Sequence, residues 1–279
     1  MAWSVWRVST PRSEPVQVSR LSPSARVPLA ETSQWDGSAL QAGSLPITTD
    51  GTTSMALAIP RKLVVLGDSG VYGWGDPEHG GWCERLRRHW MGLPEGPVLY
   101  NLGVRGDGLE RLTARLPAEV SCRGELRRQR PQGILLAVGL NDSARIGRSD
   151  GRQQLAPAGF LFGMQQLLRQ ASAIAPVLVL GLSPVDDAVM PLAEVLWYQL
   201  ETVRQYEALL EEACLEADVP FLPLLESFLA DPYWLQRLDA DGVHLSSEGH
   251  ALVYEKVRTW PALLRWAQLE TLELAQPST

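Results

Sequence analysis

The sequence predicts a three-layer α/β/α domain built on a five-stranded parallel sheet. Five short apolar runs follow one another along the chain, and longer segments with a helical repeat of apolar residues separate them. Strands that are apolar throughout are typical of parallel sheets with helices on both faces, because neither face meets water. We find no internal repeat of about 20 to 50 residues, which argues against solenoids and propellers.

The five predicted strands are apolar and are bounded by Gly, Pro or polar residues. They cover residues 62–67, 97–103, 132–140, 176–184 and 219–225. The predicted helices carry apolar residues at spacings of three, four or seven. They cover residues 81–93, 108–120, 155–174, 190–216 and 246–269. The apolar stripe of the 190–216 helix includes Cys214, which we therefore expect to pack against the sheet.

Residues 1–59 differ in composition from the rest of the chain. Roughly one residue in three is Ser, Thr or Pro, and neither a helical nor a strand period persists. We expect this segment to be disordered, a folded domain to cover residues 60–270, and a short tail to follow at 271–279. The N-terminal segment is either an inert tail or one used for docking or targeting. A further hypothesis is that translation starts at Met55 and that an upstream start codon creates the tail.

Composition excludes several classes of partner. The net charge of −7, with 25 basic and 32 acidic residues, disfavours nucleic acid. The three cysteines show neither a disulfide nor a zinc pattern, and His79, His89 and His250 lack metal-ligand spacing. No apolar run is long enough for a membrane span or a secretory signal. We expect a cytoplasmic protein with no metal, no cofactor and no integral membrane association.

Four polar segments lie beyond predicted strands. They are "GDSG" (67–70), "NLGVRGDG" (101–108), "GLNDS" (139–143) and "DADGVHLSS" (239–247). Ligands of open parallel sheets bind beyond the carboxyl ends of the strands, so we expect these segments to meet at one rim. A nucleotide-binding loop would need its glycines directly after the first strand, and "GVRGDG" instead follows the second.

Three of these residues suit nucleophilic catalysis. Asp241 is close enough in sequence to bond Nδ1 of His244, which leaves Nε2 free to take the proton of a hydroxyl such as that of Ser69. For an oxyanion, the candidate donors are the N–H groups of Ser69 and Gly106 and the side-chain amide of Asn141. Taken singly, Ser69 also fits a helix cap, Gly106 a turn and Asn141 a loop.

Together the segments resemble the SGNH hydrolases, also called the GDSL esterase and lipase family. The family serine matches Ser69 in "GDS", the glycine Gly106 in "NLGVRGD", and the asparagine Asn141 in "GLND"; "DGVH" supplies Asp241 and His244. The resemblance covers residues 62–268. It implies a flavodoxin-like fold, a catalytic triad of Ser69, His244 and Asp241, and an oxyanion hole of Ser69, Gly106 and Asn141.

The resemblance also implies a small-molecule ester substrate. Short-chain esters, lysophospholipids, acyl thioesters and acetylated sugars are the candidates, and an acyltransferase or a non-catalytic scaffold on the same fold are alternatives. We interpret Asp68 as a hydrogen-bond acceptor that braces the loop. The aromatic residues near the motifs line either a pocket or the core. They are Tyr72, Trp74, Tyr233 and Trp234.

Overall fold

The structure is a computed structural model and describes residues 60–123 and 130–270. The strands are β1 (Lys62–Gly67), β2 (Val98–Gly103), β3 (Gly133–Ala137), β4 (Arg145–Ile146), β5 (Val177–Leu180), β6 (Leu196–Trp197) and β7 (Phe221–Leu222). The α-helices are α1 (Ser69–Tyr72), α2 (Gly81–Met91), α3 (Leu109–Ser121), α4 (Leu140–Ser143), α5 (Pro157–Ser172), α6 (Leu200–Glu216), α7 (Leu225–Leu229), α8 (Ser247–Arg258) and α9 (Pro261–Ala267). The expected disordered segment 1–59 and the tail 271–279 lie outside the described residues.

The main sheet confirms the predicted α/β class. Its five strands are parallel and run in the order β2-β1-β3-β5-β7, which is the flavodoxin-like order. The chain moves outward from β1 first to one side and then to the other, so the strand order reverses between β1 and β3. The carboxyl ends of β1, β2 and β3 meet there, since Gly67 pairs with both Gly103 and Ala137. We call this edge the rim.

Both faces of the sheet are buried, which explains the continuous apolar strands. Along β1, Val64 and Leu66 enter one hydrophobic cluster, while Leu63 and Val65 enter the other. This alternation follows from side chains that point to opposite faces of a strand. The first cluster packs against α3, α5 and α6, and the second against α2, α8 and α9. Cys214 is buried in the first cluster, as expected from its place in the apolar stripe.

The predicted helix at 190–216 was wrong at its N-terminal end. Helix α6 begins at Leu200, whose N–H donates a 2.7 Å hydrogen bond to Asp187, and Gln199 before it is extended. The preceding residues instead form β6, which pairs antiparallel with β4 in a small second sheet. Apolar residues therefore continue at helical spacing on the N-terminal side of Leu200, where the backbone is no longer helical.

The predicted helix at 246–269 is in fact two helices. Pro261 begins α9, and a residue before proline is driven out of the helical region, so Trp260 is extended and separates α9 from α8. Three predicted strands are also too long. The strand predicted at 132–140 ends at Ala137, that at 176–184 at Leu180, and that at 219–225 is confined to Phe221–Leu222.

Candidate active site

Ser69 lies in the turn that joins β1 to α1. Gly67 ends the strand against β3, where a Cβ atom would overlap the Ala137 carbonyl oxygen, so the close packing requires glycine. Asp68 then caps α1, and its Oδ1 accepts a 2.9 Å hydrogen bond from the Gly70 N–H. The turn leaves Ser69 only 9% exposed at the rim.

Asp241 and His244 lie in the loop before α8. Asp241 Oδ1 accepts hydrogen bonds of 2.9 Å from the N–H groups of both Val243 and His244. Asp241 Oδ2 lies 2.5 Å from Nδ1 of the same histidine. Gly242 supplies the positive φ of 69° that lets the loop fold back on the carboxylate. The four-residue loop thus fixes the imidazole through three contacts with one side chain.

The His244 imidazole connects the carboxylate to the serine. Its Nε2 lies 2.9 Å from the Ser69 hydroxyl oxygen, so the structure brings together the three residues of the predicted triad. Burial alone would raise the pKa of Asp241, but hydrogen bonds from the His244 ring and from the His244 and Val243 N–H groups lower it to about 2. Asp241 is therefore ionised at neutral pH and accepts the Nδ1 proton, which leaves Nε2 facing the hydroxyl.

Gly106 lies in a tight turn after β2. The Asp107 N–H donates to the Val104 carbonyl at 3.1 Å, and Gly106 has a φ of +76°, as in a type II turn. Arg115 braces this turn, because it donates both to the Asp107 carboxylate at 2.7 Å and to the Gly67 carbonyl at 3.0 Å. The sequence offered no signal for Arg115, which reaches the site from helix α3.

Asn141 is the second residue of α4, which follows β3, and it links three loops of the rim. Its Nδ2 donates to the Asp107 carbonyl at 3.0 Å and to Asp68 Oδ2 at 3.3 Å, while its Oδ1 accepts from the Tyr198 hydroxyl at 3.0 Å. Asp68 thus accepts hydrogen bonds from two loops. Its burial raises the pKa to about 6, although the Gly70 N–H acts in the opposite direction. Sequence reasoning missed Tyr198, which precedes α6.

A small apolar cavity lies beside Ser69 and His244. Its volume is about 60 Å³. The side chains around it come from both the sheet and the helices on the α2 and α8 face, and most are aliphatic or aromatic. They include Val71, Trp82, Leu180, Leu182, Val243 and Leu245. A space of this kind suits a short hydrocarbon group and disfavours a charged one, since a buried unpaired charge is costly.

Of the four aromatic residues noted in the sequence, Trp74 lies beside the site. Its ring centroid is 6.1 Å from that of His244, with the two rings tilted by 59°. Trp74 itself is 38% exposed, whereas Tyr72 and Tyr233 are more than half exposed and Trp234 packs against the second hydrophobic cluster. Trp234 thus packs against the core, and Trp74 lies beside His244 without lining the cavity.

His250 lies in helix α8 and is buried. Its Nδ1 accepts a 3.3 Å hydrogen bond from the Trp82 N–H, so the proton is on Nε2, which donates to the Trp74 carbonyl at 3.0 Å. Burial lowers the pKa of His250 and keeps it neutral. The side chain therefore anchors the backbone of Trp74. By contrast, His79 contacts Asp76, and His89 packs edge-on against an aromatic ring.

The remaining sequence expectations concern cysteines, metals and membranes. Cys83 and Cys214 are buried thiols, and Cys122 is an exposed one. Within residues 60–123 and 130–270, no three His, Cys, Asp or Glu side chains are grouped as metal ligands would be. In the same part of the chain, no helix is both long and apolar enough to cross a membrane. The cytoplasmic location stays a prediction.

A doubly wound sheet with a serine, an imidazole and a carboxylate at its switch point is an arrangement typical of hydrolytic enzymes. Residues 65–252 match the model of the GDSL-like lipase/acylhydrolase family, and the chain belongs to that family. This confirms the resemblance seen in the motifs and makes the protein a carboxylic ester hydrolase. No curated protein sequence matches the chain significantly.

Solved structures share the fold. A lipase/acylhydrolase from Enterococcus faecalis has a TM-score of 0.58 at 22% identity, over 71% of this chain and 93% of that one. TesA has a TM-score of 0.55 at 21% identity, over 74% and 99%. A catalytic mutant of Axe2, an acetylxylan esterase from Geobacillus stearothermophilus, has a TM-score of 0.56 at 16% identity, over 76% and 97%. At such low identity these likenesses establish the fold alone.

Proposed function

We propose that the protein hydrolyses carboxylic esters of short acyl groups through an acyl-enzyme at Ser69. The observation that carries the proposal is the unbroken hydrogen-bonded path from the Ser69 hydroxyl through His244 to Asp241. Ionised Asp241 holds the proton on Nδ1 and stabilises the imidazolium that forms when Nε2 takes the serine proton. Asp241 is thus in the ionised form that this mechanism requires.

The reaction proceeds in two halves. Ser69 Oγ bonds to the ester carbonyl carbon as its proton passes to His244 Nε2, and the same proton then goes to the leaving alcohol oxygen as the C–O bond breaks. In the second half, water gives a proton to Nε2 and its oxygen bonds to the acyl carbon. The acid leaves as the bond to Oγ breaks and the serine regains its proton.

Three donors from three loops would hold the oxyanion. They are the N–H of Ser69, the N–H of Gly106 and the side-chain amide of Asn141. The Gly106 N–H supports this role because it has no hydrogen-bond partner among residues 60–123 and 130–270. For Asn141, the 3.3 Å contact to Asp68 is the longer of its two donor contacts, and a substrate oxygen would replace it.

The size of the apolar cavity supports a short acyl group. Its volume of about 60 Å³ is less than half of the roughly 150 Å³ that holds a benzene molecule in an engineered protein cavity. An acyl group of a few carbons fits such a space, whereas a long fatty chain would have to extend over the surface. This favours short-chain esters and acetylated alcohols over lysophospholipids with long acyl chains.

The test is hydrolysis of 4-nitrophenyl esters with acyl chains of two to about twelve carbons by the wild type and by Ser69→Ala. We expect kcat/KM to be highest for the shortest chains and the variant to lose about 10³-fold or more. Equal rates in the two proteins would contradict the proposal. A preference for long chains would overturn the assignment of the cavity, and transfer to an added alcohol in place of hydrolysis would favour the acyltransferase alternative.

A further inference from the structure

Arg105 lies at the mouth of the site and is stacked on an aromatic ring. Its guanidinium carbon is 3.4 Å from the centroid of the Trp74 ring. The residue is exposed, and among residues 60–123 and 130–270 no carboxylate pairs with it. In a chain with a net charge of −7, this is a cation whose hydrogen-bonding edge is free for a ligand.

The Arg105 guanidinium lies close to His244, the group that would protonate the leaving alcohol. The Trp74 ring joins them, since its centroid is 3.4 Å from the guanidinium carbon and 6.1 Å from the His244 ring centroid. These two separations place Arg105 no more than 9.5 Å from the imidazole centroid. In the proposed reaction the alcohol oxygen receives its proton from His244, so the alcohol portion of the ester extends over this part of the rim.

The acyl portion of the ester lies in a different environment from the alcohol portion. The cavity beside Ser69 is lined mostly by aliphatic and aromatic side chains, its lining includes the Asp68 carboxyl group, and no Lys or Arg lines it. A negatively charged acyl group would therefore lose its hydration there without a cationic side chain to pair with. A negative charge on the substrate is therefore compatible with the alcohol portion only.

The backbone on both sides of the stack is fixed. Arg105 occupies the second position of the turn from Val104 to Asp107, directly before Gly106. On the other side, the Trp74 carbonyl accepts from the buried His250. Stacking covers one face of the guanidinium and leaves its N–H groups directed outward in the plane, which suits two parallel bonds to a carboxylate or phosphate. A preordered donor loses less entropy when it binds.

We infer that Arg105, stacked on Trp74, binds an anionic group on the alcohol portion of the ester substrate. The inference rests on the proposed function, because it uses the leaving-group side that His244 defines. The ligand chemistry is a carboxylate or a phosphate that lies a few bonds from the ester oxygen. A neutral alcohol would use only the ring of Trp74.

The test compares 4-nitrophenyl acetate with 3-carboxy-4-nitrophenyl acetate, which adds one negative charge to the same leaving group. In Arg105→Gln we expect the ratio of kcat/KM for the anionic substrate to that for the neutral one to fall about tenfold or more, because a charged hydrogen-bond partner is lost. Arg169→Gln is the matched control, since it removes another exposed arginine charge, on helix α5, and should leave the ratio unchanged. About 0.5 M salt should lower the wild-type ratio.

An unchanged ratio in Arg105→Gln, with both rates equal to wild type or both lowered alike, would overturn the inference and leave Arg105 a structural contact. Failure of the wild type to hydrolyse either ester faster than Ser69→Ala would instead contradict the proposed function. Binding of phenyl phosphate, measured by calorimetry, then decides the Arg105 inference without turnover. We expect its Kd to rise about tenfold or more in Arg105→Gln, and the same Kd in both proteins would overturn the inference.

Discussion

Asp241 fixes the orientation and the tautomer of His244 through a single carboxylate. One of its oxygens holds the loop backbone and the other holds Nδ1. With a pKa of about 2, the carboxylate is ionised throughout the neutral range, so the imidazole has one orientation and one tautomer. The reactivity proposed for Ser69 therefore depends on a residue that never touches the substrate.

We expect Asp241→Asn to lower kcat roughly 10³- to 10⁴-fold with ester substrates, because an amide facing Nδ1 favours the wrong tautomer. Asp239→Asn is the control, since Asp239 is an exposed carboxylate in the same loop, and within the described part of the chain its side chain is hydrogen-bonded only to the Ala240 N–H. Steady-state kinetics of the two variants decide the matter. Equal activity in both would contradict the role assigned to Asp241.

A second carboxyl, Asp142, affects stability. Its side chain is 4% exposed and accepts from the Leu109 N–H at the start of α3, and its burial raises the pKa to about 6. A carboxyl whose pKa is higher in the folded than in the unfolded chain stabilises the fold only while it is protonated. The free energy of unfolding that Asp142 contributes therefore falls as the pH rises from about 4 to about 6.

Asp142→Asn should reduce this fall by up to about 3 kcal/mol, because the amide oxygen can still accept from Leu109 while the side chain no longer titrates. Urea unfolding at several values between about pH 4 and pH 7 measures it. Asp68, whose pKa is also raised to about 6, is unchanged in the variant, so part of the pH dependence of stability should persist. An identical pH dependence in wild type and variant would show that Asp142 is not buried as an unfavourable charge.

At the residue scale, the motifs were sufficient to predict which side chains would meet. Ser69, Asp241 and His244 could be placed because each stands in a short segment beyond a strand or before the last helix. Tyr198, Arg115 and His250 could not, because they reach the site from helices or from the segment before α6 and have no local sequence signal. Their positions depend on tertiary packing, which a linear pattern does not contain.

The turn from Val104 to Asp107 is the element on which the oxyanion site most depends. Its positive φ at Gly106 directs the peptide N–H, and apart from the adjacent residues no atom of residues 60–123 and 130–270 lies within 4 Å of where a Cβ would be. A substitution there changes the backbone and nothing else. The same holds for Gly147, which has a φ of +80° in a loop after β4 and equally open surroundings.

Gly106→Ala should lose kcat/KM by at least about tenfold, since removal of a whole oxyanion donor costs about 10²- to 10³-fold and a shifted N–H loses part of that. Both substitutions should lower the free energy of unfolding by about 1 kcal/mol, because alanine is strained at a positive φ. Gly147→Ala should show this loss with no loss of activity. Thermal unfolding and kinetics on both variants separate the two effects. Comparable activity in both would remove Gly106 from the proposed oxyanion site.

Elements with a strong local signal could be predicted closely. Strand β1 was predicted with its observed ends, and α2 and α3 were predicted to within two residues. The errors occurred where a backbone constraint overrides apolar spacing, as at Pro261 and at the extended Gln199 before α6. The short helices α1, α4 and α7 have too few residues to show a period.

At the scale of the whole molecule, the site follows from the strand order. Because the order reverses between β1 and β3, the loops after them diverge to opposite faces and leave a crevice at the rim. Ser69 and Asn141 follow these two strands, Gly106 follows the neighbouring β2, and His244 reaches the same crevice from the loop before α8. The sequence predicted this convergence because parallel strands share one carboxyl edge.

The central claim is that Ser69 is a nucleophile activated by His244. The most direct measurement is covalent labelling with a fluorophosphonate, followed by mass spectrometry of the intact protein and its peptides. We expect one adduct per chain on the peptide that contains Ser69, no adduct in Ser69→Ala, and labelling slowed by about 10³-fold in His244→Ala. A label on another residue, or equal labelling of the wild type and Ser69→Ala, would contradict the account.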